Sequence, residues 1–509
     1  MNGLDPISLQ VLSGRLRSIC DEMGAVLIRS AHSPNIKERR DCSTALFDAR
    51  GELVMQAEHI PVHLGSMPDA VAAILGEPQR AGQSWILNDP FAGGTHLPDI
   101  TLVTPVLADG SEPAAFVASR AHHADVGGPT PGSMPADSRR LEDEGVVIAP
   151  RPLESLDDLD DLIARMRDRE QRRADLRAQL AANETGCTRL LELVAGGSGV
   201  ESLAGMADLL DYAERRTRAR LAELPDGSWH ASDVLEGGRE GAEDIHLAVR
   251  ATIDDDELEL DFSDSAEQVT GNLNCPLPVT RSAALFAVRA LLDPDAPASA
   301  GAHRPVRVIA PEGSILNARP PAAVAAGNVE TSSRVADLVL GALGEAAGGP
   351  AQGQGTMNNV TLANDGFTYY ETIGGGQGAC ADAAGPDAVH VAMSNTLNTP
   401  VEALETELPI RVRELSVRRG SGGAGRHRGG DGVVRDLEAM EPMRFTMLTE
   451  RRRHPPRGRA GGGDGATGRN LLNGSEVPPK AAGELRTGDR LRVETPGGGA
   501  YGEPAPASE

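Results

Sequence analysis

The spacing of apolar residues changes along the chain and separates helical stretches from strand-forming ones. Over residues 5–32 apolar positions recur every three or four residues, which predicts a helix with one apolar face, and Asp5-Pro6 is a start signal for it. Two charge-laced helical stretches, about 155–195 and 200–223, lie on either side of a Gly-Gly break. From about residue 228 the period falls to two, and short strands with glycine-rich connections follow.

These patterns predict an α+β fold with an N-terminal helix and a mixed, β-rich region, central helices, and a glycine-rich, β-rich C-terminal half. Changes of composition predict four regions along the 509 residues. They are the N-terminal region with the candidate site, 1–150; a helical segment, 151–227; a β-rich region with some helix, 228–470; and a variable, low-complexity tail, 471–509.

The candidate chemistry lies in the stretch 88–128. Two apolar runs, Ile100–Leu107 and Ala114–Ser119, are separated by the turn signal Ala108-Asp109-Gly110, which predicts a β-hairpin. The polar loops that flank the two strands would then meet at the same end of the hairpin. These loops contain three histidines and two aspartates: His96, Asp99, His122, His123 and Asp125. Imidazoles and carboxylates that converge in this way predict a divalent-metal site.

The ligand set contains no thiolate, so its residue types suit zinc, manganese or iron without selecting among them. Three or four protein ligands would leave room for water, which favours a catalytic site over a structural one. A hydrogen-bonded histidine network is the alternative. His59 and His63 are four residues apart, but Pro61 between them opposes a shared helical face, so histidines packed near the site are favoured over ligands. The long polar loop 129–150 is a candidate lid or substrate wall.

Composition excludes several classes of partner. With 49 Lys+Arg against 74 Asp+Glu, a net charge of -25, the chain lacks the basic excess that nucleic acid or an anionic membrane requires. The arginines at 39–40 and 451–453 are therefore expected in surface ion pairs. Five scattered cysteines without a CxxC pair predict a reduced protein. No apolar run is long enough for a signal peptide or a membrane span, which predicts a cytoplasmic location.

The chain contains no recognisable nucleotide-binding loop. The pattern GxxxxGK[ST] is absent, and the glycine clusters 374–376 and 461–463 do not join a strand to a helix. Both clusters are expected to form tight turns. ATP, if the reaction uses it, would not be bound by this chain alone.

Nine longer motifs occur in order between about residues 5 and 470. They are ERRDCSTALFDARGELVMQAEHIPVHLGSMP, NDPFAGGTHLPDI, AHHADVGG, NVETSSRVADLVLGAL, QGQGTMNNV, YYETIGGGQGA, SNTLNTPVEALE, RRGSGGAGRHRGGDG and TERRRHPPRG. Together they resemble the hydantoinase B/oxoprolinase family. Its members include the B (β) subunits of ATP-dependent N-methylhydantoinases, the corresponding half of 5-oxoprolinase, and subunits of acetone and acetophenone carboxylases.

The resemblance implies a two-subunit enzyme. An A-type partner with an actin/acetate-kinase-like ATPase fold would use ATP to phosphorylate the substrate, and this B-type chain would carry the metal, in an expected A2B2 hetero-oligomer. By resemblance the metal ligands are Asp41, His96 and His122, with Asp99 as an additional ligand. Zinc is the favoured ion, and manganese and iron are alternatives. Such an ion would lower the pKa of water bound to it towards about 7.

The candidate catalytic residues are Asp41, His123 and Asp125. His123 and Asp125 would shuttle protons or orient a ligating imidazole. Because adjacent residues of an extended segment point to opposite sides, one of His122 and His123 is expected to face the ion, and the sequence leaves open which.

The function that the resemblance implies is the ATP-dependent hydrolysis of a small cyclic amide. The chain would thus belong to a hydrolase that acts on carbon–nitrogen bonds. One alternative is a subunit of an ATP-dependent ketone carboxylase, and another is a non-catalytic assembly scaffold for the A-type subunit. A scaffold, however, has no need of so many histidines and aspartates in the candidate loops. The substrate, the metal and the oligomeric state are left open.

Overall fold

In the computed structural model about half of the chain forms helices and four sheets. The described residues are 4–58, 60–63, 65–108, 112–195, 199–237 and 243–504. The helices are α1 (Pro6–Ser30), α2 (Pro34–Lys37), α3 (Met67–Ala72), α4 (Asp160–Ile163), α5 (Arg169–Ala195), α6 (Gly199–Leu221), α7 (Leu277–Leu292), α8 (Ala300–His303), α9 (Ser332–Ala347) and α10 (Val401–Glu407), with a π-helical turn at Gly327–Thr331.

Strands supply the rest of the regular structure. They are β1 (Cys42–Asp48), β2 (Leu53–Glu58), β3 (Ser84–Leu87), β4 (Asp99–Val106), β5 (Ala115–His122), β6 (Arg151–Leu153), β7 (Gly227–Leu235), β8 (Ile245–Asp254), β9 (Glu257–Asp261), β10 (Val306–Ile309), β11 (Asn359–Asn364), β12 (Phe367–Glu371), β13 (Ile410–Arg418), β14 (Gly432–Ala439), β15 (Met443–Leu448), β16 (Arg469–Leu472), β17 (Ser475–Glu476), β18 (Lys480–Leu485) and β19 (Arg490–Glu494). The predicted α+β class, with its N-terminal helix, central helices and β-rich C-terminal half, is confirmed.

The N-terminal half is built on an antiparallel sheet with the strand order β2-β1-β5-β4-β3-β6. The predicted hairpin is β4 and β5, which pair in register so that Asp99 lies opposite His122. The predicted turn residues Asp109 and Gly110 lie outside the described residues. Because the hairpin aligns the two loops at one end, its register positions the candidate site.

Helix α1 covers one face of this sheet, together with α5. The carboxylate of Asp5 accepts hydrogen bonds from the backbone N–H groups of Ile7 and Ser8, as the N-cap prediction requires. The apolar face of α1, including the fully buried Leu16 and Met23, packs in one cluster with residues of β1, β2, β5 and α5. The period of three and four therefore predicted both this helix and its buried face.

The middle of the chain forms a second sheet, in the order β10-β9-β8-β7, covered by α7 and α9. Strands β8 and β9 form an antiparallel hairpin, with Asp254 opposite Glu257. Helix α9 begins at Ser332, but its start is not capped by a side chain, because the π-helical turn runs directly into it. The hydroxyl of Thr331 donates instead to the carbonyl of Leu273.

Two further antiparallel sheets complete the C-terminal half, in the orders β12-β11-β15-β18 and β13-β14-β19-β16-β17. Part of the segment 471–509 takes part in these sheets, because β18 pairs with β15 and β19 pairs with β14. The described part of that segment, up to residue 504, is therefore folded into the sheets. The proposed boundaries of the four regions stay predictions.

Glycine-rich segments from this half lie side by side and form what we call the glycine bundle, the segments around Gly376, Gly430 and Gly498. Their backbones are hydrogen-bonded to each other: the N–H of Gly498 donates to the carbonyl of Gly430, and that of Gly430 donates to the carbonyl of Gln377, both at 2.9 Å. The predicted tight turn is correct at Gly461, where φ is +88°. It is wrong at residues 374–376, where glycine allows backbones to approach rather than to turn.

The arginine runs also differ from the prediction of surface ion pairs. Arg451 is 1% exposed, and its guanidinium contacts the carboxylates of Asp233 at 3.1 Å and Asp337 at 2.8 Å. Arg453, which pairs with Asp244, is half exposed as expected. Arg451 is therefore part of the buried connection between β7, α9 and the chain after β15. Among the described helices, none is long and apolar enough to cross a membrane.

Candidate metal centre

Two loops at one end of the β4–β5 hairpin bring the candidate ligands together. His96 lies in the loop before β4, Asp99 is the first residue of β4, and His122 is the last residue of β5. The loop before β4 folds tightly at Gly93, where φ is +99°, and at Gly94. A Cβ on Gly94 would lie 2.5 Å from the carbonyl oxygen of Asn88, so only glycine fits there.

His96, Asp99 and His122 form a compact and buried group. One nitrogen of each imidazole and one oxygen of the carboxylate lie within 4.8 Å of one another. His96 Nε2 is 3.3 Å from Asp99 Oδ1. None of the three residues is more than 3% exposed. Three of the four metal ligands predicted by resemblance are therefore adjacent in the structure.

The donor atoms of this group fit a cation. Three ring nitrogens are buried without a hydrogen-bond partner among the described residues. They are Nδ1 and Nε2 of His96 and Nε2 of His122. Leaving a buried polar atom unpaired costs about 1–3 kcal/mol, so such atoms are uncommon. An ion held between the two imidazoles and the Asp99 carboxylate would satisfy them.

The charge states of the group are those of metal ligands. Burial lowers the pKa of His122 well below its usual range, and His96 beside it lowers it further, so the imidazole is neutral. Burial alone would raise the pKa of Asp99, but His96 and His63 outweigh it and hold the pKa well below the usual range. The group therefore offers the neutral imidazole of His122 and an ionised carboxylate.

Asp41 lies next to this group, directly before β1. The backbone N–H of His122 donates to its carbonyl at 3.0 Å, and the residue is 6% exposed. Burial and the negative charge of Asp99 raise the pKa of its carboxyl to about 7. Asp41 lines the same cavity as Asp99 and His122, but it is not one of the three residues whose ligand atoms lie within 4.8 Å.

Several residues that the sequence did not assign to the site support it. The amide of Asn35 contacts His122 Nδ1 at 3.1 Å, and the ring of Tyr370 stacks on the His122 ring with centroids 4.7 Å apart. The hydroxyl of Thr95 donates to Asp99 at 2.6 Å. Asn35 carries no motif that could have revealed it, whereas Tyr370 is one of only four tyrosines in the chain. These contacts hold the ligands in their orientations.

His63 lies beside the site, as the sequence indicated. Its Nε2 is 3.5 Å from Asp99 Oδ2, and its Nδ1 shares a hydrogen bond of 2.9 Å with Ser43. His59 lies outside the described residues.

His123 and Asp125 contact other parts of the fold. His123 Nε2 bonds to the amide oxygen of Gln179 on α5 at 2.9 Å. Asp125 accepts hydrogen bonds from the backbone N–H groups of Gly127 and Gly132, and it pairs with Arg167 at 3.1 Å. Their described contacts therefore fix the segment after β5, and a role in the chemistry stays a prediction.

Arg39 is buried next to the site rather than exposed in a surface pair. It is 1% exposed, and its guanidinium donates to the carbonyl of Tyr370 and the hydroxyl of Thr372, both at 2.8 Å. It also donates to the hydroxyl of Thr396 at 3.0 Å. The prediction of a surface ion pair is wrong here because the guanidinium binds backbone and hydroxyl oxygens inside the protein.

The long loop 129–150, a candidate lid in the sequence, is fastened to the body of the protein. Glu144 accepts hydrogen bonds from the hydroxyl of Ser138 and from the backbone N–H groups of Val324 and Ala325. These bonds are buried and hold the loop at Glu144 against the segment at Val324 and Ala325. The role of a lid or a substrate wall stays a prediction.

Comparison with known proteins gives a consistent result. Residues 5–504 match the sequence profile of the family described as "Hydantoinase B/oxoprolinase". The 5-oxoprolinase of Dictyostelium discoideum is 38% identical over 98% of this chain and 40% of its own length. An uncharacterized protein of Methanocaldococcus jannaschii is 36% identical over 98% of this chain and 91% of its own length.

A solved structure is also similar. The ATP-dependent caprolactamase from Pseudomonas jessenii superimposes with a TM-score of 0.92 and 27% sequence identity, over 99% of this chain and 92% of the other. The chain thus spans only about two fifths of the Dictyostelium relative but nearly all of the other two. The family resemblance is confirmed, and the match extends to residue 504, beyond the motifs that ended near 470.

Proposed function

The chain belongs to the hydantoinase B/oxoprolinase family, and from that premise we propose that it is the metal-containing subunit of an ATP-dependent cyclic amide hydrolase. The observation that carries the proposal is the buried group of His96, Asp99 and His122, whose unpaired nitrogens fit a cation. Two similar proteins support the substrate class, since one is described as a 5-oxoprolinase and the other as a caprolactamase.

We assign the use of ATP to a partner. Residues of this chain form no recognisable nucleotide-binding loop. This chain matches only 40% of the 5-oxoprolinase relative, which is therefore much longer. The rest of that relative is available for other steps of the reaction. The proposed partner is an A-type subunit of the actin/acetate-kinase-like class, in an A2B2 hetero-oligomer, and it would phosphorylate the amide.

The residues that would hold the metal are His96, Asp99, His122 and Asp41. The set combines imidazole and carboxylate without a thiolate, which suits zinc, manganese or iron. Of these, zinc is the ion that the family resemblance favours. The ion would supply Lewis-acid chemistry and lower the pKa of water near it.

The protein's own side chains would handle the proton. Asp41 lines the same cavity but is not one of the three closest ligand residues. Its carboxylate would take a proton from the water that attacks the phosphorylated amide carbon and return it to the departing ring nitrogen, and a second water would release phosphate from the acyl phosphate that remains. His123 and Asp125 would act indirectly, by fixing β5 and the segment after it through Gln179 and Arg167. The ring of Tyr370 would keep the His122 ring in place.

Asn35 is expected to tune the affinity for the metal. In the structure the amide nitrogen of Asn35 lies 3.1 Å from Nδ1 of His122. For Nε2 of His122 to bind an ion, Nδ1 must carry the proton, so the Asn35 amide must turn and present its oxygen as the acceptor. We predict that Asn35→Leu weakens metal binding about 10- to 100-fold. The measurement is a competition titration with a chromogenic chelator. Asn183→Leu, at a buried asparagine on α5 that bonds to β4, is the matched control and should leave the affinity unchanged. Equal affinities in the Asn35→Leu and wild-type proteins would contradict this role.

The function is tested by reconstitution with the A-type ATPase. Alone, the purified chain should bind about one metal ion and show no ATPase activity. With the partner, ATP and a cyclic amide (hydantoin, oxoproline or a larger lactam), it should release ADP and the ring-opened acid. A complex that takes up labelled bicarbonate and forms no ring-opened acid would instead be a carboxylase. Full partner activity with a chain that lacks the metal ligands would identify a scaffold.

A further inference from the structure

The candidate metal centre is closed to small molecules in this structure. The cavity that Asp41, Asp99 and His122 line has a volume of about 20 Å³. This is room for about one water molecule, whereas pockets for small organic ligands have volumes of about 300–1,000 Å³. A substrate therefore reaches the centre only if one wall moves.

One segment separates this cavity from a much larger groove. Residues 390–397, which we call the strap, place Met393, Ser394 and Thr396 on the wall of the cavity. The residues just before them, Val391 and Ala392, line an open groove of about 800 Å³. Of the described segments, the strap is the one whose consecutive residues face both spaces.

The groove itself suits a small cyclic amide. Its walls come from α7, α9 and the segments 350–353 and 457–460. Phe286 and Leu291 provide apolar surface, and Ser232 and Gln377 provide polar groups. A mixture of apolar surface and a few polar groups is typical of small-molecule sites.

The strap has an irregular backbone. It contains no helix or strand, and its backbone hydrogen bonds include those from the N–H of Ser394 to the carbonyl of Val391 and from the N–H of Leu397 to the carbonyl of Arg39. Ala392 has a φ of +52°, a conformation that costs energy for alanine. Leu397 is half exposed. Met393 of the strap is fully buried in the core, so opening exposes its side chain, and we expect the segment to open only transiently.

Side chains fasten the strap in the closed position. Thr396 shares a hydrogen bond of 2.7 Å with Thr372 and accepts one of 3.0 Å from Arg39. His390 bonds to Ser394 and, at 3.3 Å, to Thr396. Arg39 lies two residues before Asp41, so the bond that closes the strap is directly connected to the candidate centre.

We propose that the groove is the binding site through which the cyclic amide reaches the metal centre, and that the strap is the gate between them. The class of ligand rests on the proposed function, whereas the gate rests on the geometry alone. Opening the strap would connect the groove, which is large enough for a small substrate, to the cavity at the metal centre, which is too small for one in this structure.

A reversible disulfide tests the gate. A Cβ on Gly353, in the groove wall, would lie 3.4 Å from Cβ of Val391 on the strap, close to the separation of about 3.5–4.5 Å in disulfides. We therefore design Gly353→Cys/Val391→Cys, with Cys380→Ser to remove the cysteine that lines the groove. Oxidation should slow the extraction of Zn²⁺ by a chelator at least 10-fold, and reduction should restore the rate. In the complex with the partner, turnover should fall and recover in parallel.

The two single cysteine variants, treated with the same oxidant, are the controls and should not respond. Extraction of Zn²⁺ needs neither ATP nor substrate, so a failure of the proposed function would leave this readout intact. Equal extraction rates for the oxidised and reduced double variant would overturn the gate.

Two further variants test the same proposal without a disulfide. Thr396→Val removes the bonds to Thr372 and Arg39 at nearly constant volume, and it should speed Zn²⁺ extraction several-fold.

Gly341→Phe places a ring in the groove, where the nearest atom to a new Cβ is the Cβ of Ala231 at 3.5 Å. It should raise the KM for the cyclic amide at least 5-fold and leave the metal content unchanged. An unchanged extraction rate in Thr396→Val would overturn the gate, and an unchanged KM in Gly341→Phe would overturn the groove.

Discussion

Replacing His96 by alanine is expected to give a folded protein that retains less than about a tenth of the wild-type metal content and has no measurable turnover with the partner. The loss of metal follows because one of three adjacent ligands is removed. The fold should survive because neither nitrogen of His96 has a hydrogen-bond partner among the described residues. Metal content is measured by elemental analysis, and folding by circular dichroism and thermal unfolding.

His303→Gln is the matched control, since His303 is a half-buried histidine on α8, outside the candidate centre. It should keep the full metal content. Asp41→Ala separates the roles of the carboxylates, because Asp41 lines the cavity but is not among the three closest ligands. If His96→Ala retained the full metal content, the assignment of the centre would be wrong.

The largest effect on stability is expected in the glycine bundle. A Cβ on Gly430 would overlap the carbonyl oxygen of Pro386, and one on Gly498 would overlap that of Gln377. Backbone atoms held in a bundle cannot move aside as a side chain can. We therefore predict that Gly430→Ala lowers the free energy of unfolding by about 3 kcal/mol or more, or prevents the C-terminal half from folding.

Gly76→Ala is the control for this substitution. A Cβ at Gly76 would have no atom within 4 Å, and its φ lies outside the left-handed region. Its stability should stay within about 0.5 kcal/mol of the wild type. Chemical unfolding followed by circular dichroism compares the two variants. Equal stability of Gly430→Ala and Gly76→Ala would show that the bundle is not closely packed.

Local patterns were sufficient to predict the N-terminal part of the fold. The apolar period and the Asp5-Pro6 signal located α1, and the apolar runs around Ala108 located the hairpin β4–β5. Such elements depend on neighbouring residues, so their signals are present in the sequence itself. The hairpin also placed His96 and Asp99 near His122, because strand register aligns the residues at its open end.

The rest of the site depends on contacts between distant parts of the chain. Asn35, His63 and Tyr370 meet at the candidate centre although more than 300 residues separate the first from the last. No periodicity links such positions. Arg39 and Thr396 are also far apart in the sequence, so no local pattern indicates the hydrogen bond between them. For this reason Arg39, in a charged run, was wrongly predicted to be exposed.

Composition was misleading in the glycine-rich half. Glycine was interpreted as a turn signal, whereas the structure also uses it for close backbone contacts, for example at Gly430 and Gly498. Both uses require a residue without a Cβ, so composition alone does not distinguish them.

The central proposal is that this chain lets water open a cyclic amide after the partner has used ATP. The most direct test is the reaction of the reconstituted complex in ¹⁸O-labelled water, with mass spectrometry of the ring-opened acid and a parallel measurement of ADP. The account predicts one ¹⁸O atom in the new carboxylate for each ring opened, formation of ADP in step with it, and no product when His96→Ala replaces the wild-type chain. Ring-opened acid formed at the wild-type rate by the His96→Ala complex would contradict it.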